Sequence, residues 1–315
     1  MKLKQSSIIL AALTTATLGN LFISSPGTAA TIELVGLTDN NTLVFFNPAN
    51  PINTVSLEVS QLQPGETLVG IDFRPRTGQL FALGSSSRVY TISETGAATL
   101  VGATAFTPGL NGTSFGVDFN PVPDAIRVVS DANQNTRLNP NTGGTGANAP
   151  DAPLTYSLVA GNPVADPAIA AVAYTNNFPG VTQTTLFGID ANLDLLVRQG
   201  GVNFPAQNPS PNSGQLFAVG PLNVDFGPTG GFDILTTLDG NTVANTAFAA
   251  SGFTLYGINI DLASSNTGAA TVLGTIGSDR PIIGLAARSV PEPTATLALI
   301  GLSAFAFLGR RAKAI

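Results

Sequence analysis

Leu68-Val-Gly-Ile-Asp-Phe-Arg-Pro75 is echoed by Ser114-Phe-Gly-Val-Asp-Phe-Asn-Pro121, and that echo decides the fold. Fainter copies follow at Ala170-Ala-Val-Ala-Tyr174, Gly230-Gly-Phe-Asp-Ile234 and Ile283-Gly-Leu-Ala-Ala287. Counted from Gly70, the anchor positions Gly116, Ala171, Gly231 and Gly284 follow at spacings of 46, 55, 60 and 53 residues. A period of this length suits a four-stranded propeller blade with its loops.

Further strands can be traced outward from each anchor by alternating apolar residues bounded by turn residues. In the first unit they are Gln79–Leu83 and Arg88–Ile92, and in the third Thr185–Ile189 and Leu193–Val197. The lead into the fourth strand repeats most sharply, Thr95-Gly-Ala-Ala-Thr-Leu-Val-Gly102 against Thr267-Gly-Ala-Ala-Thr-Val-Leu-Gly274. The last unit supplies only a first strand, Ile283–Arg288, whereas the first residues of the core, Ile32–Leu37, Thr42–Phe46 and Thr54–Val59, read as strands two to four. Sharing one blade between the two termini closes the ring and removes the open edge that invites aggregation. The expectation is an all-β, five-bladed propeller. An open β-sandwich or a pair of smaller β domains is the competing architecture.

Both ends of the 315-residue chain read as processing signals. Residues 1–30 combine basic Lys2 and Lys4, an apolar run from Ile8 to Leu18, and small Thr28, Ala29 and Ala30, which together form a signal peptide. The run is too short to span a bilayer comfortably, and a buried N-terminal helix is the competing reading. Residues 290–315 hold Pro291-Glu292-Pro293, an apolar stretch from Thr294 to Leu308, and Arg310-Arg311. About 15 apolar residues can hold a precursor in the inner membrane while the arginines stay cytoplasmic. The Pro-Glu-Pro run stays extended, because proline continues neither helix nor strand. An ordinary single-span anchor would look similar but would keep its tail.

Between these signals, residues 31–289 keep eight arginines, no lysine and eighteen carboxylates, a formal charge of −10. Such a surface repels phosphate backbones, which argues against nucleic acid, and it disfavours anionic membrane surfaces. The chain has no Cys, His or Trp. Disulfides, thiolate or imidazole metal sites, a cysteine nucleophile and a Ser/His/Asp triad are therefore all excluded.

Three anchors carry an aspartate two residues after the glycine: Asp72, Asp118 and Asp233. Positions two apart on a strand share a face, so Gly70, Asp72 and Arg74 align opposite Ile71 and Phe73. On an innermost strand these carboxylates would ring the central channel, where a hard cation such as calcium finds oxygen ligands. Their competing role is structural, capping turns or pairing with Arg74. Ala173 and Ala286 replace the aspartate in two units and break the symmetry. Asp131-Ala-Asn-Gln-Asn135 has the opening oxygen spacing of a helical calcium loop, but Thr136 and Thr142 stand where Gly and Glu are needed, so a hairpin turn explains it better. Asp39-Asn40-Asn41 has the same reading. Arg127, Asp131, Asn135 and Arg137 form the densest hydrogen-bonding cluster, a set that can grip carboxylates or sugar hydroxyls. No phosphate loop is present, since Thr142–Gly146 lacks the lysine.

Several of these stretches together resemble a family of secreted bacterial proteins, the domain of unknown function numbered 4394. The resemblance rests on Gly36-Leu-Thr-Asp-Asn-Asn-Thr-Leu43, Gly65–Pro75, Phe115–Pro121, Arg127-Val-Val-Ser-Asp131 with Gln134-Asn135, Arg137-Leu-Asn-Pro140 and Ala173-Tyr-Thr-Asn-Asn177, and covers residues 32–288. It implies export and supports the fold, and it implies no activity. The tail separately resembles the PEP-CTERM signal, which implies cutting by a membrane-embedded exosortase in Gram-negative bacteria that make exopolysaccharide. The expected partners are thus signal peptidase and exosortase during export, a transient stay in the inner membrane, and then extracellular polysaccharide or surface proteins. The expected role is a non-enzymatic binding or structural protein, without cofactor, of the cell envelope or extracellular matrix. The competing role is a hydrolase or lyase of sugars or lactones that uses channel carboxylates, with or without calcium.

Overall fold

A computed structural model describes residues 31–290; the expected signal peptide and the tail from Pro291 onward lie outside the described residues. The described residues start on the outer part of the blade they finish last. β1 (Thr31–Thr38), β2 (Thr42–Asn47) and β3 (Asn50–Glu58) form an antiparallel meander. The turn at Asp39-Asn40-Asn41 joins the first two, with Asn41 at φ 65°, a conformation that asparagine tolerates.

Blade one follows as β4 (Leu68–Phe73), β5 (Leu80–Gly84), β6 (Arg88–Ile92) and β7 (Ala98–Val101). Blade two is β8 (Phe115–Asn120), β9 (Ala125–Ser130) and β10 (Asn135–Leu138). It has three described strands where the repeat predicts four. The next residues, Asn139 to Pro153, are rich in Asn, Gly and Pro, which sustain a ladder poorly, and only the bridge between Leu138 and Thr145 forms. The chain then places β11 (Thr155–Tyr156) parallel to the outer edge of blade three. That blade continues with β12 (Ile169–Tyr174), β13 (Thr184–Asp190), β14 (Leu195–Phe204) and β15 (Gln215–Pro221), in the spatial order β11-β15-β14-β13-β12. Blade four is β16 (Gly231–Asp239), β17 (Thr242–Ser251), β18 (Thr254–Ile258) and β19 (Ala270–Thr275).

Finally β20 (Ile282–Val290) pairs antiparallel with β1 along its whole length and becomes the inner strand of the first-begun sheet, in the order β20-β1-β2-β3. The five sheets make a five-bladed β-propeller closed by strands from both ends of the chain. Its inner strands β4, β8, β12, β16 and β20 contact one another in succession around the ring.

The hydrophobic core lies between blades. Val35, Leu37 and Leu43 of the closing blade meet Ile71, Phe73 and Tyr90 of blade one. Phe81 and Val89 of blade one meet Phe119, Ile126 and Val128 of blade two, with Phe81 and Phe119 edge to face at 5.1 Å. Equivalent clusters fill the remaining gaps. Each buried Leu, Ile or Phe contributes about 1.5–3 kcal/mol, so a chain without disulfides rests on these seams.

The anchors let the inner strands converge. A Cβ at Gly70 would lie 2.4 Å from a Val117 methyl, and one at Gly231 would lie 2.1 Å from the Leu285 nitrogen. Glycine at these places permits the approach rather than an unusual backbone angle.

Candidate functional site

One alternation beyond the glycines, the inner strands turn Asp72, Asp118 and Asp233 toward the axis, each about 1 % exposed. Three carboxylate oxygens, one from each, lie within 4.8 Å of one another. The expected convergence of the three anchors at the channel is therefore present, but in a closed form. The void among Gly70, Gly116, Ala171, Gly231 and Gly284 is only about 10 Å³, room for about one water.

The hydrogen bonds explain which units carry aspartate and which alanine. Asp72 Oδ2 accepts from the Phe119 N–H of the next blade at 2.6 Å, and its Oδ1 accepts from Phe73 at 2.6 Å. Asp233 does the same, accepting from Ala287 of the next blade and from its own neighbour Ile234, both at 2.6 Å. Asp118 Oδ1 accepts from Tyr174 at 3.1 Å, again one blade forward. Residues 73, 119, 174, 234 and 287 occupy the same level on the five inner strands, so three aspartates satisfy all five amides. Where Ala173 and Ala286 offer no acceptor, the following blade's aspartate turns back to its own amide.

Asp118 is the exception. The Phe119 amide is already held by Asp72, and Asp118 Oδ2 is buried without a hydrogen-bond partner. Burial, then the charges of Asp72 and Asp233, push the Asp118 carboxyl well above the usual carboxylate range. Burial and the Asp233 charge do the same to Asp72, against the pull of its two amide bonds. Burial raises Asp233 to about 7, opposed by the Ala287 and Ile234 amides.

Arg74, expected as a partner of these aspartates, instead forks onto Asp124 across the seam to blade two, at 2.9 and 2.5 Å, and donates to Asn141 at 3.1 Å. The bidentate bond outcompetes the axial carboxylates because Asp124 presents both oxygens to the fork.

Arg127, Asn135 and Arg137 come together as the sequence pattern suggested. Arg127, 1 % exposed, donates to Tyr174 Oη, Asn135 Oδ1, Asp151 Oδ2 and Asn212 Oδ1 at 3.2, 2.7, 2.5 and 2.7 Å. Arg137 reaches both oxygens of Asp151 at 2.8 Å, and Asn135 also takes a bond from Gln199 at 3.1 Å. The network joins blades two and three. Asp151, Asn212 and Gln199 carry no signal in the sequence beyond the rule that a buried arginine needs a carboxylate. Asp131 stands apart. Its carboxylate accepts from the Thr113 and Ser114 amides and the Thr113 hydroxyl, clasping a loop rather than its own turn, while Asn133 at φ 62° supplies the turn itself.

Sequence reasoning missed a concavity of about 710 Å³ between the closing blade and blade one. Phe45, Phe73, Gln79, Glu94 and Arg288 are among its lining residues, and Glu94 is the one carboxylate among them. Arg288 lies 5.0 Å from the centre of the Phe73 ring and is held there by Glu33 at 2.6 Å. No motif connects these positions, which come from both ends of the chain.

A five-bladed propeller with a buried carboxylate triad on its axis defines the class of the protein. The family model for Domain of unknown function (DUF4394) matches residues 42–286, so the chain belongs to that family, and the PEP-CTERM protein-sorting motif matches residues 289–312. That motif marks the chain for exosortase processing and for export with envelope-associated sorting in Gram-negative bacteria. Among the described residues, no helix is long and apolar enough to cross a membrane. No curated protein matches the chain. Among solved structures, a protein of unknown function from Bacteroides thetaiotaomicron is similar at 13% identity and TM-score 0.41, over 83% of this chain and 62% of that one. The chain thus spans less than two thirds of that relative's length. Regucalcin from Agrobacterium tumefaciens, a calcium-binding protein, is similar at 11% identity and TM-score 0.38, over 80% and 76% of the two chains. BamB from Moraxella catarrhalis matches at 12% identity and TM-score 0.31, over 83% and 64%.

Proposed function

We propose that this exported propeller acts outside the cytoplasm as a binding protein for extracellular polymer, holding it without chemical turnover. The observation that carries this reading is the lining of the 710 Å³ concavity: two phenylalanine rings, a fixed arginine, polar Gln79, Thr77 and Ser93, and a single carboxylate. The half-buried Phe45 ring and the polar edges suit a sugar chain, beside an Arg288 whose charge Glu33 already answers. Glycosidic hydrolysis asks for two carboxyl groups about 5–10 Å apart on either side of the bond, and Glu94 has no such partner in the lining. The axial carboxylates do not substitute for it, since a void of about 10 Å³ admits no sugar. Sorting by an exosortase supports a place of action at the envelope. Release of the signal peptide and loss of the tail after Pro291-Glu292-Pro293 belong to the same proposal.

The test is co-sedimentation of the exported protein with isolated exopolysaccharide, alongside a panel of glycoside, ester and lactone substrates. The expected result is retention that weakens at least tenfold in Arg288→Ala and Phe45→Ala, with no turnover. Turnover of any substrate that is lost in Glu94→Gln would overturn the reading. Intact mass of the exported form reports both processing events.

A further inference from the structure

We propose that Asp72, Asp118 and Asp233 hold one calcium-type divalent cation on the propeller axis, enclosed by the fold, where it locks the inner strands of three blades. The site is independent of the polymer-binding concavity and goes beyond that reading.

The argument is one of hydrogen-bond accounting. Both oxygens of Asp72 and both oxygens of Asp233 accept backbone N–H bonds at 2.6 Å. A protonated carboxyl is the poorer acceptor, so these four amide donors favour the anionic form of both groups against their burial. Asp118 completes the group and leaves Oδ2 buried with no partner, in a side chain about 1 % exposed. A proton on Asp118 would neutralise the third carboxyl and leave the other two charges facing each other. Among the described residues, none of the salt bridges reaches any of the three. Buried charges persist only when paired or bound to metal, and this cluster has no paired side chain. A divalent ion supplies the missing positive charge, and Asp118 Oδ2 is the ligand atom that no other contact claims.

The donor set selects the kind of ion. All three ligands are carboxylates, and the chain has no His or Cys, which points to a hard cation. Oxygens no more than 4.8 Å apart fit around one centre at the 2.3–2.6 Å distances of calcium. Because each carboxylate belongs to a different inner strand and reaches to the next, one ion links β4, β8 and β16 directly and β12 and β20 through their amides. Enclosure has a further consequence. An ion this deep is taken up as the ring closes and exchanges only when the ring opens.

The experiment is elemental mass spectrometry on the full exported chain, desalted after refolding in calcium. The wild type is expected to retain about one calcium per chain through native-state dialysis against EDTA and to release it when unfolded in EDTA. Asp118→Asn keeps the bond to Tyr174 and adds an amide donor facing the two anions. It is expected to fold and to carry less than a tenth of an ion. Asp131→Asn, on the surface loop, is expected to keep the full ion. Wild type with less than a tenth of an ion after refolding in calcium would overturn the proposal. So would equal calcium content in Asp118→Asn. If Asp118→Asn does not fold, the wild-type stoichiometry and its release only on unfolding decide the matter.

Discussion

Two buried polar clusters stabilise this propeller, and they solve the problem of charge in opposite ways. Around Arg127 the protein supplies both signs: two arginines converge on Asp151, and Asn135, Asn212 and Tyr174 take the remaining donors. On the axis it supplies one sign only, three carboxylates held by amides. The first cluster pairs its buried carboxylate with cations, though the Gln199 amide oxygen is buried without a partner, and it serves as a rivet between blades two and three. The second satisfies every amide at its level and still leaves a buried oxygen and excess negative charge. Density of polar residues therefore does not separate a structural cluster from a binding site; the pairing of charge does.

The largest expected effect comes from removing the buried cation of the paired cluster. Arg127→Met leaves Asp151 buried beside a single arginine and is expected to cost about 3–5 kcal/mol in denaturant unfolding. A loss below about 1 kcal/mol would mean the network is loose.

Within the axial cluster, the count of amides sets the order. Asp233→Ala strands the Ile234 and Ala287 amides, because Ala286 offers no substitute acceptor, whereas Asp118→Ala strands only that of Tyr174. At about 1–3 kcal/mol per buried orphan, Asp233→Ala measured in EDTA is expected to be less stable than Asp118→Ala by about that amount. The reverse order would break the account of the Asp and Ala pattern.

A smaller effect appears in acid. The Arg74 fork holds the Asp124 carboxyl below its ordinary range, and for Glu66 the bonds from Ser86 and Tyr90 outweigh the burial that pushes it up. Folded-state values below the unfolded ones mean that this stability is fully present above about pH 4 and is lost as pH falls through the lower folded values. Asp124→Asn is expected to flatten the fall in unfolding free energy below about pH 4, read by urea titration at several pH values.

Much of the fold was legible because every unit needs the same inner strand: glycine or alanine where strands converge, and aspartate or alanine two residues on. Closure by the two ends was legible because Ile283–Arg288 stands alone and the first strands lack a partner. What stayed hidden depends on contacts between units. Nothing near Arg74 in sequence names Asp124, 50 residues away, as a better partner than Asp72. The missing fourth strand of blade two follows from the Gly, Asn and Pro content of residues 139–153, a local breach that an averaged repeat conceals. At the axis, the three aspartates were visible but their amide partners were not, since each lies one blade forward. The concavity beside Arg288 was invisible for the same reason, being assembled from both termini.

The most direct test of the central claim is the melting temperature of the exported chain refolded at a series of free calcium concentrations. The expected result is a midpoint that climbs steadily with the logarithm of free calcium in the wild type and stays flat in Asp118→Asn. Identical wild-type midpoints in EDTA and in millimolar calcium would contradict it.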